Sequence, residues 1–125
     1  MSTVTIRPAV PGDEQTILSF IRALADYEHL SDQVVATPEL LREWIFEKKK
    51  AEVLFAAAGG REVGFALFFH NFSTFLGRAG IYLEDLFVLP EERGRGYGEA
   101  LRRELARLTL DRGCGRLEWA CLDWN

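Results

Sequence analysis

Apolar residues recur along this chain with two spacings, and each spacing predicts one kind of secondary structure. Short apolar or alternating segments bounded by turn residues predict five β-strands, at residues 4–7, 53–58, 63–72, 81–88 and 117–122. Apolar residues three or four positions apart predict three helices. The resulting order, β-α-α-β-β-β-α-β, is typical of an α/β (α+β) sandwich with a mostly antiparallel sheet.

The first two helices have recognisable start signals. The first opens at the turn residues 11–13 and carries four apolar residues on one face: Ile17, Ile21, Leu24 and Ala25. The second starts at Thr37, which supplies a capping hydroxyl before a proline and an acid. Its predicted buried stripe is Leu41, Trp44 and Ile45. Gly59-Gly60 predicts a hairpin turn, Gly64 a bulge or close approach, and residues 73–80 a loop.

The segment from Leu83 to Leu108 is the most informative part of the chain. It combines an apolar strand, a proline-containing turn, a loop with Gly94, Gly96 and Gly98, and an amphipathic helix with Tyr97, Leu101, Leu105 and Leu108 on one face. Glycine allows close backbone approach and positive φ, and the first helical turn presents unpaired N–H groups and partial positive charge. We therefore predict an anion site suited to a pyrophosphate, with Arg93 and Arg95 adding charge.

The spacing of these glycines excludes two common phosphate motifs. A P-loop needs a Gly-Lys pair, which the chain lacks. A dinucleotide fingerprint needs a third glycine at position 99 or 101, where Glu99 and Leu101 stand. The pattern that fits is Arg93-x-x-Gly96-x-Gly98 between a strand and a helix. The structural alternative is a tight turn that binds no ligand.

Composition narrows the class of protein. A length of 125 residues favours one domain, residues 1–125. The apolar fraction of 48% and charged fraction of 27% are ordinary for a globular protein, and a net charge of −4 argues against general nucleic-acid binding. No apolar run is long enough for a membrane span, and we see no signal peptide. The two cysteines and two histidines show no disulfide framework and no metal-site spacing, so we expect a cytoplasmic protein without a metal.

The chain resembles the GCN5-related N-acetyltransferases (GNAT), and within them the diamine (spermidine/spermine) N-acetyltransferases. The matching pieces run over the whole length: IRPA at residues 6–9, LADYE at 24–28, YLEDLFV at 82–88, RGRGYG at 93–98 and the closing DWN. This resemblance implies a sandwich with helices on both faces of the sheet. It also implies acetyl-CoA as co-substrate, a small amine as acceptor, and a homodimer. The aromatic strand at residues 65–72 is a candidate contributor to that dimer, which the sequence does not settle.

The resemblance also implies roles for individual residues. Backbone groups of Leu86, Phe87 and Val88 would meet the thioester and pantetheine arm. The residues that would hold the pyrophosphate are Arg93, Gly94, Arg95, Gly96, Tyr97, Gly98 and Glu99, and Asn125 matches an asparagine near the cofactor. The positions that would line the amine site are Tyr27, Glu28, Glu84, Asp85, Glu118, Trp119 and Ala120, with Glu118 standing where some members have histidine.

The chemistry of the acids agrees with an amine substrate. An ammonium group must lose a proton before its nitrogen can attack, and a carboxylate can accept it. Adjacent strand residues point to opposite faces, so we expect only one of Glu84 and Asp85 to face a cleft. We favour Glu84 as the catalytic base or ammonium anchor and expect Asp85 to cap or pair elsewhere. The structural alternatives are a hydrogen-bonded acid at a polar sheet end for Glu84, and an ordinary helix end for Tyr27 and Glu28.

The family pattern extends beyond Asn125 with a helix, a tyrosine taken to protonate the departing thiolate, and two strands. We therefore expect an apparently truncated domain that lacks the last helix and strands and leaves a strand edge open. Neither Tyr82 nor Tyr97 is at the position of that tyrosine. Three functions follow for comparison: an amine acetyltransferase, an acetyl-CoA-binding remnant without catalysis, and a protein lysine or N-terminal acetyltransferase.

Overall fold

The computed structural model describes residues 3–120 and confirms the predicted order of elements. Its strands are β1 (Thr5–Pro8), β2 (Glu52–Ala58), β3 (Arg61–Ser73), β4 (Arg78–Val88) and β5 (Leu117–Trp119). Its helices are α1 (Glu14–Tyr27), α2 (Pro38–Leu41), which continues as a π-helical turn (Arg42–Glu47), and α3 (Tyr97–Asp111). Short 3₁₀ turns lie at Ser31–Gln33 and Pro90–Glu92.

The five strands form one sheet in the order β1-β2-β3-β4-β5. The first three pairings are antiparallel, and β5 joins β4 in parallel. The parallel pairing is possible because α3 returns the chain from the end of β4 to the start of β5, as parallel neighbours require. This confirms the mostly antiparallel sheet.

Helices cover both faces of the sheet, and a separate apolar core lies on each face. On one face, α3 packs Leu101 and Leu105, both without solvent exposure, against the sheet. On the other face, α1 and the π-helical turn pack against the sheet through Ile17, Phe20 and Ile45. The sheet is therefore buried on both sides, which explains why its inner strands read as nearly continuous apolar runs.

Two details of the predicted elements are wrong. Residues 73–80 were expected to be a loop, but β3 and β4 stay paired as far as Ser73 and Arg78, leaving a four-residue turn closed by a hydrogen bond from Gly77 N to Ser73 O. Trp44 was expected in the buried stripe, but its side chain is 46% exposed and Lys48 Nζ lies 4.1 Å from its ring centroid. The wider π-helical winding changes the angle between successive side chains, and so turns Trp44 outward.

Candidate active site

A β-bulge in β4 brings two acidic side chains to the same face of the sheet. Leu67 of β3 pairs with Asp85 and Phe68 pairs with Leu83, so Glu84 is an additional residue without a partner in β3. Ile81 and Leu83 face α3 before the bulge, and Leu86 and Val88 face α3 after it. Glu84 and Asp85 consequently both lie on the face covered by α1. The expectation of opposite faces is wrong, because a bulge breaks the alternation of side chains.

These two acids line a cavity of about 540 Å³ beside the end of α1. Most residues predicted for the site contribute to its wall: Tyr27, Glu28, Glu84, Asp85, Leu86, Phe87, Val88, Arg93, Trp119 and Ala120. The wall therefore joins three carboxylates of the predicted amine site to the β4 segment and the first residue of the glycine loop. Residues far apart in sequence meet here because β4 pairs with β5 in the sheet and contacts the end of α1 on one face.

Asp85 has the most perturbed acidity in this cavity. Its pKa is raised to about 6, first because burial removes water from the carboxylate, and then because Glu84 and Glu28 bring like charges. Within residues 3–120 its carboxyl makes no ion pair and no side-chain hydrogen bond. The expectation that Asp85 caps or pairs elsewhere is therefore wrong. Glu84 is the more exposed acid of the pair.

The glycine loop has the open backbone that an anion site requires. Gly94 and Gly96 have φ of +81° and +84°, and a Cβ added at either would meet no atom within 4 Å. Gly96 caps α3, so the partnerless N–H groups of the first helical turn follow it directly. Gly98 lies against the sheet instead, since an added Cβ would stand 3.5 Å from Leu86 Cδ2. The loop therefore has the open backbone and the helix start that a phosphate group requires.

The two arginines of the loop have different surroundings. Arg95 Nη1 lies 3.7 Å from Glu92 Oε1, so part of its charge is compensated. Arg93 donates from Nε to the Val88 carbonyl oxygen at 3.1 Å, and its guanidinium carbon lies 4.3 Å from the centroid of the Tyr27 ring. Arg93 therefore connects the loop to the end of β4 and to the end of α1.

Several predicted residues lie away from this cavity wall. Glu118 is held by Asn71 Nδ2 at 2.8 Å and by Arg116 Nε at 2.9 Å. The side chain of Tyr97 is 5% exposed within the core, so only its backbone is available to a ligand. Gly94, Arg95, Gly96, Gly98 and Glu99 belong to the adjoining loop and helix start rather than to the wall. Asn125 lies outside the described residues.

Four residues that the sequence analysis did not assign to the site also line the cavity: Leu24, Tyr82, Leu83 and Arg102. Tyr82 stands two positions before Glu84 in the same strand, so strand alternation alone would have placed it on the same face. Arg102 follows Gly98 by four residues, a helical spacing that places both on one side of α3.

A second cavity, of about 800 Å³, lies beside the C-terminal half of α3. Four of its charged groups pair with one another: Arg112 makes two hydrogen bonds to Glu52, at 2.7 and 2.8 Å, and Arg107 makes two to Glu104. Lys49 also lines this cavity and makes no ion pair among the described residues. None of the residues predicted for the site lines this cavity, so the cavity at Asp85 is the better candidate. Among residues 3–120, no group of three or more His, Cys, Asp or Glu side chains is arranged to hold a metal ion. In the same part of the chain, no helix is long and apolar enough to span a membrane.

Comparison with known proteins places this chain in a family. Residues 17–125 match the acetyltransferase (GNAT) family. The chain is 44% identical to the thialysine N-epsilon-acetyltransferase of Bos taurus, over the whole chain and 78% of that protein. It is 27% identical to the spermidine/spermine N(1)-acetyltransferase-like protein 1 of Homo sapiens, over the whole chain and 19% of that protein.

The fold is shared with solved acetyltransferases. An aminoglycoside acetyltransferase from an uncultured soil metagenomic sample superposes with a TM-score of 0.84 at 15% identity, over 98% of this chain and 80% of that one. At this identity the likeness concerns the fold alone. The family match and the 44% identity to the bovine protein over the whole of this chain together show that this chain is an acetyltransferase and belongs to the GNAT family.

Proposed function

We propose that this chain transfers the acetyl group of acetyl-CoA to a primary amine of a small cationic substrate, either a lysine-like amine or a polyamine. The observation that carries the proposal is the cavity in which Glu28, Glu84 and Asp85 converge beside the end of β4. Converging carboxylates attract a cation and disfavour an anionic acceptor. The names of the bovine and human relatives, which refer to thialysine and to spermidine or spermine, support an amine of this kind.

For the co-substrate, we propose that the loop Arg93–Glu99 holds the pyrophosphate. Open glycine backbone, the start of α3 and two arginines supply N–H donors and positive charge there. We propose that backbone groups of Leu86, Phe87 and Val88 bind the pantetheine arm, with Asn125 near the cofactor as the family resemblance implies. Acetyl-CoA, when bound, supplies the thioester carbonyl that the amine nitrogen attacks.

The two acids of the bulge have different roles in this proposal. Asp85 accepts the proton of the substrate ammonium, because a carboxyl with a pKa of about 6 is ionised at neutral pH and remains a better base than an ordinary aspartate. Glu84, at the more exposed position, attracts and anchors the ammonium. Glu28 adds a third negative charge, and Tyr27, Trp119 and Ala120 form the wall against the carbon chain of the substrate.

We propose a cytoplasmic homodimer, from the sequence features and the family resemblance. Transfer to a protein lysine or N-terminus is the competing use of this fold, and the acidic cavity favours a small polycation over it.

The pH dependence of the rate tests the division of work between Asp85 and Glu84. In wild type, kcat/KM for thialysine, followed by thiol release, should rise as pH increases through about 6, because Asp85 must be deprotonated. Asp85→Asn should lower kcat/KM by about 100-fold or more and remove this rise. Glu84→Gln should move the rise to lower pH, because the Glu84 charge raises the pKa of Asp85.

Asp26→Asn is the matched control, because Asp26 is an exposed acid of α1 that does not line the cavity. It should leave the profile unchanged. Spermidine and a lysine-bearing peptide serve as alternative acceptors. If Asp85→Asn keeps the wild-type pH profile of kcat/KM, another group is the base. If the peptide is acetylated faster than both thialysine and spermidine, the result favours a protein acetyltransferase.

A further inference from the structure

We propose that Tyr27 is a positioning residue for the glycine loop: its ring holds the Arg93 guanidinium in place and thereby links acetyl-CoA affinity to the C-terminal end of α1. This inference rests on the proposed function, because it takes the loop to be the pyrophosphate site. It gives Tyr27 a role toward the co-substrate in addition to its place in the wall of the amine cavity.

The contacts between Arg93 and two aromatic rings carry the inference. The Arg93 guanidinium carbon lies 4.3 Å from the Tyr27 ring centroid and 5.2 Å from that of Phe87. The two rings meet edge to face, with centroids 5.9 Å apart and an interplanar angle of 62°. Phe87 is 3% exposed and packed in the core, so it supports the Tyr27 ring against which Arg93 rests. Both distances from the guanidinium carbon to a ring centroid lie within the range of a cation–π contact.

The hydrogen bond of Arg93 adds a second restraint on the same guanidinium. Arg93 Nε donates to the Val88 carbonyl oxygen at 3.1 Å, which uses one of five N–H donors and leaves four on the terminal nitrogens. Within residues 3–120 no carboxylate lies at ion-pair distance from Arg93, whereas Arg95 has Glu92. Arg93 is thus a cation held by rings and a carbonyl rather than neutralised by an acid, an arrangement prepared in advance for an anion.

The position of Tyr27 makes this contact a link between two parts of the site. Tyr27 is the last residue of α1, and Glu28 follows it in the wall of the amine cavity. Arg93 begins the loop that the proposed function assigns to the pyrophosphate. A shift of the end of α1 therefore changes the surroundings of both ligands.

Calorimetric titration of Tyr27 variants with acetyl-CoA tests this link. Tyr27→Phe keeps the ring and should leave the Kd unchanged, whereas Tyr27→Leu should raise it about three- to tenfold, as loss of a cation–π contact implies. In the background of Arg93→Met, which has no charge to position, Tyr27→Leu should have no further effect on the Kd.

Three results would overturn the inference. An unchanged Kd in Tyr27→Leu would show that the ring does not act on the loop. A loss in Tyr27→Phe equal to that in Tyr27→Leu would transfer the effect to the hydroxyl group. If Tyr27→Leu lowers the affinity for acetyl-CoA equally in the wild-type and the Arg93→Met backgrounds, the role of Tyr27 is merely structural. Tyr27 is 40% exposed, so these variants should keep the wild-type thermal unfolding.

The same titration separates this inference from the proposed function. Folded wild-type protein that binds no acetyl-CoA would overturn both. Wild-type binding that Gly96→Val weakens, with no response to Tyr27→Leu, would leave the proposed function standing and overturn the positioning role alone.

Discussion

At the scale of single residues, the site depends on how burial changes the acidity of one carboxyl. Asp85 and Glu84 are neighbours with the same chemistry, but Asp85 is the one that the protein withdraws from water. Its charge is disfavoured by desolvation and by two like charges, and no cation among the described residues compensates it. A group kept in an unfavourable state without a partner is typical of a functional site rather than of a stabilising one.

This unfavourable charge predicts a measurable gain in stability for Asp85→Asn. Between the ordinary pKa of 3.8 and the folded value of about 6, the folded state binds more protons than the unfolded state, so wild-type stability falls as pH rises through this window. Asp85→Asn should therefore be more stable than wild type above pH 6, by about 1–2 kcal/mol after allowance for solvent screening.

Urea unfolding at pH 7.5 and pH 4 measures this difference. The gain should shrink at the lower pH, where Asp85 is largely protonated in the folded state and partly protonated in the unfolded state. Asp26→Asn, at an exposed position of α1, should show no such dependence. An Asp85→Asn variant with the same free energy of unfolding as wild type at pH 7.5 would contradict the raised pKa.

At the scale of elements, the junction between β4 and α3 joins two glycines in the left-handed region to a helix start. Gly94 and Gly96 let the chain turn sharply from the 3₁₀ turn Pro90–Glu92 into α3 while their open side stays clear of protein atoms. The same positive φ occurs at Gly113, which follows the other end of α3, with φ of +68° and equally open space. Backbone strain on substitution is thus similar at both ends of the helix, but only one end adjoins the cavity.

Valine substitutions at Gly96 and Gly113 compare the two ends of α3. Gly96→Val and Gly113→Val should lower the free energy of unfolding by comparable amounts, about 1–2 kcal/mol, because each forces a β-branched residue into positive φ. Gly96→Val alone should weaken acetyl-CoA binding strongly, at least tenfold, since its side chain fills the space that we propose for the pyrophosphate. Calorimetry of both variants below their unfolding temperatures is the measurement, and equal affinities in the two variants would remove the loop from the binding site.

At the scale of the whole molecule, β3 contributes aromatic residues to both cores and to the surface. Phe65 has no solvent exposure and Phe68 has 1%, whereas Phe72 is 62% exposed near the turn between β3 and β4. Phe65 and Phe68 are therefore not available to a second copy, so the candidate contribution of the strand at residues 65–72 to a homodimer is limited to its exposed residues. Phe72 is exposed and can contact a second copy, together with the exposed Phe75 and Leu76 of the following turn.

Matched alanine substitutions in β3 separate folding from association. Phe65→Ala should cost about 3–5 kcal/mol of folding stability, because it leaves a cavity in a packed core. Phe72→Ala should cost within about 0.5 kcal/mol, as is usual at an exposed position. If the proposed homodimer uses this region, Phe72→Ala should raise its dissociation constant in sedimentation equilibrium, and an unchanged constant would exclude Phe72 from the interface.

The sequence alone was sufficient for much of this protein. The order of strands and helices, the sandwich class and the GNAT family followed from local patterns: apolar periodicity, the capping residues at Thr37, and the glycines of Arg93-x-x-Gly96-x-Gly98. These features report short-range physics, since periodicity, caps and positive φ are each decided by residues a few positions apart. The likeness to the diamine acetyltransferases within that family rested on the specific segments at residues 24–28 and 82–88.

The tertiary structure decided what depends on neighbours distant in sequence. A strand reads as strict alternation until its partner is known, so the bulge at Glu84, which arises from pairing with β3, was not visible, and Asp85 was assigned to the wrong face. Burial and two like charges, one of them from α1, then set its pKa. The stacking of Arg93 on Tyr27 likewise joins residues that no local pattern relates, because only the packing of α1 on the sheet brings their side chains together.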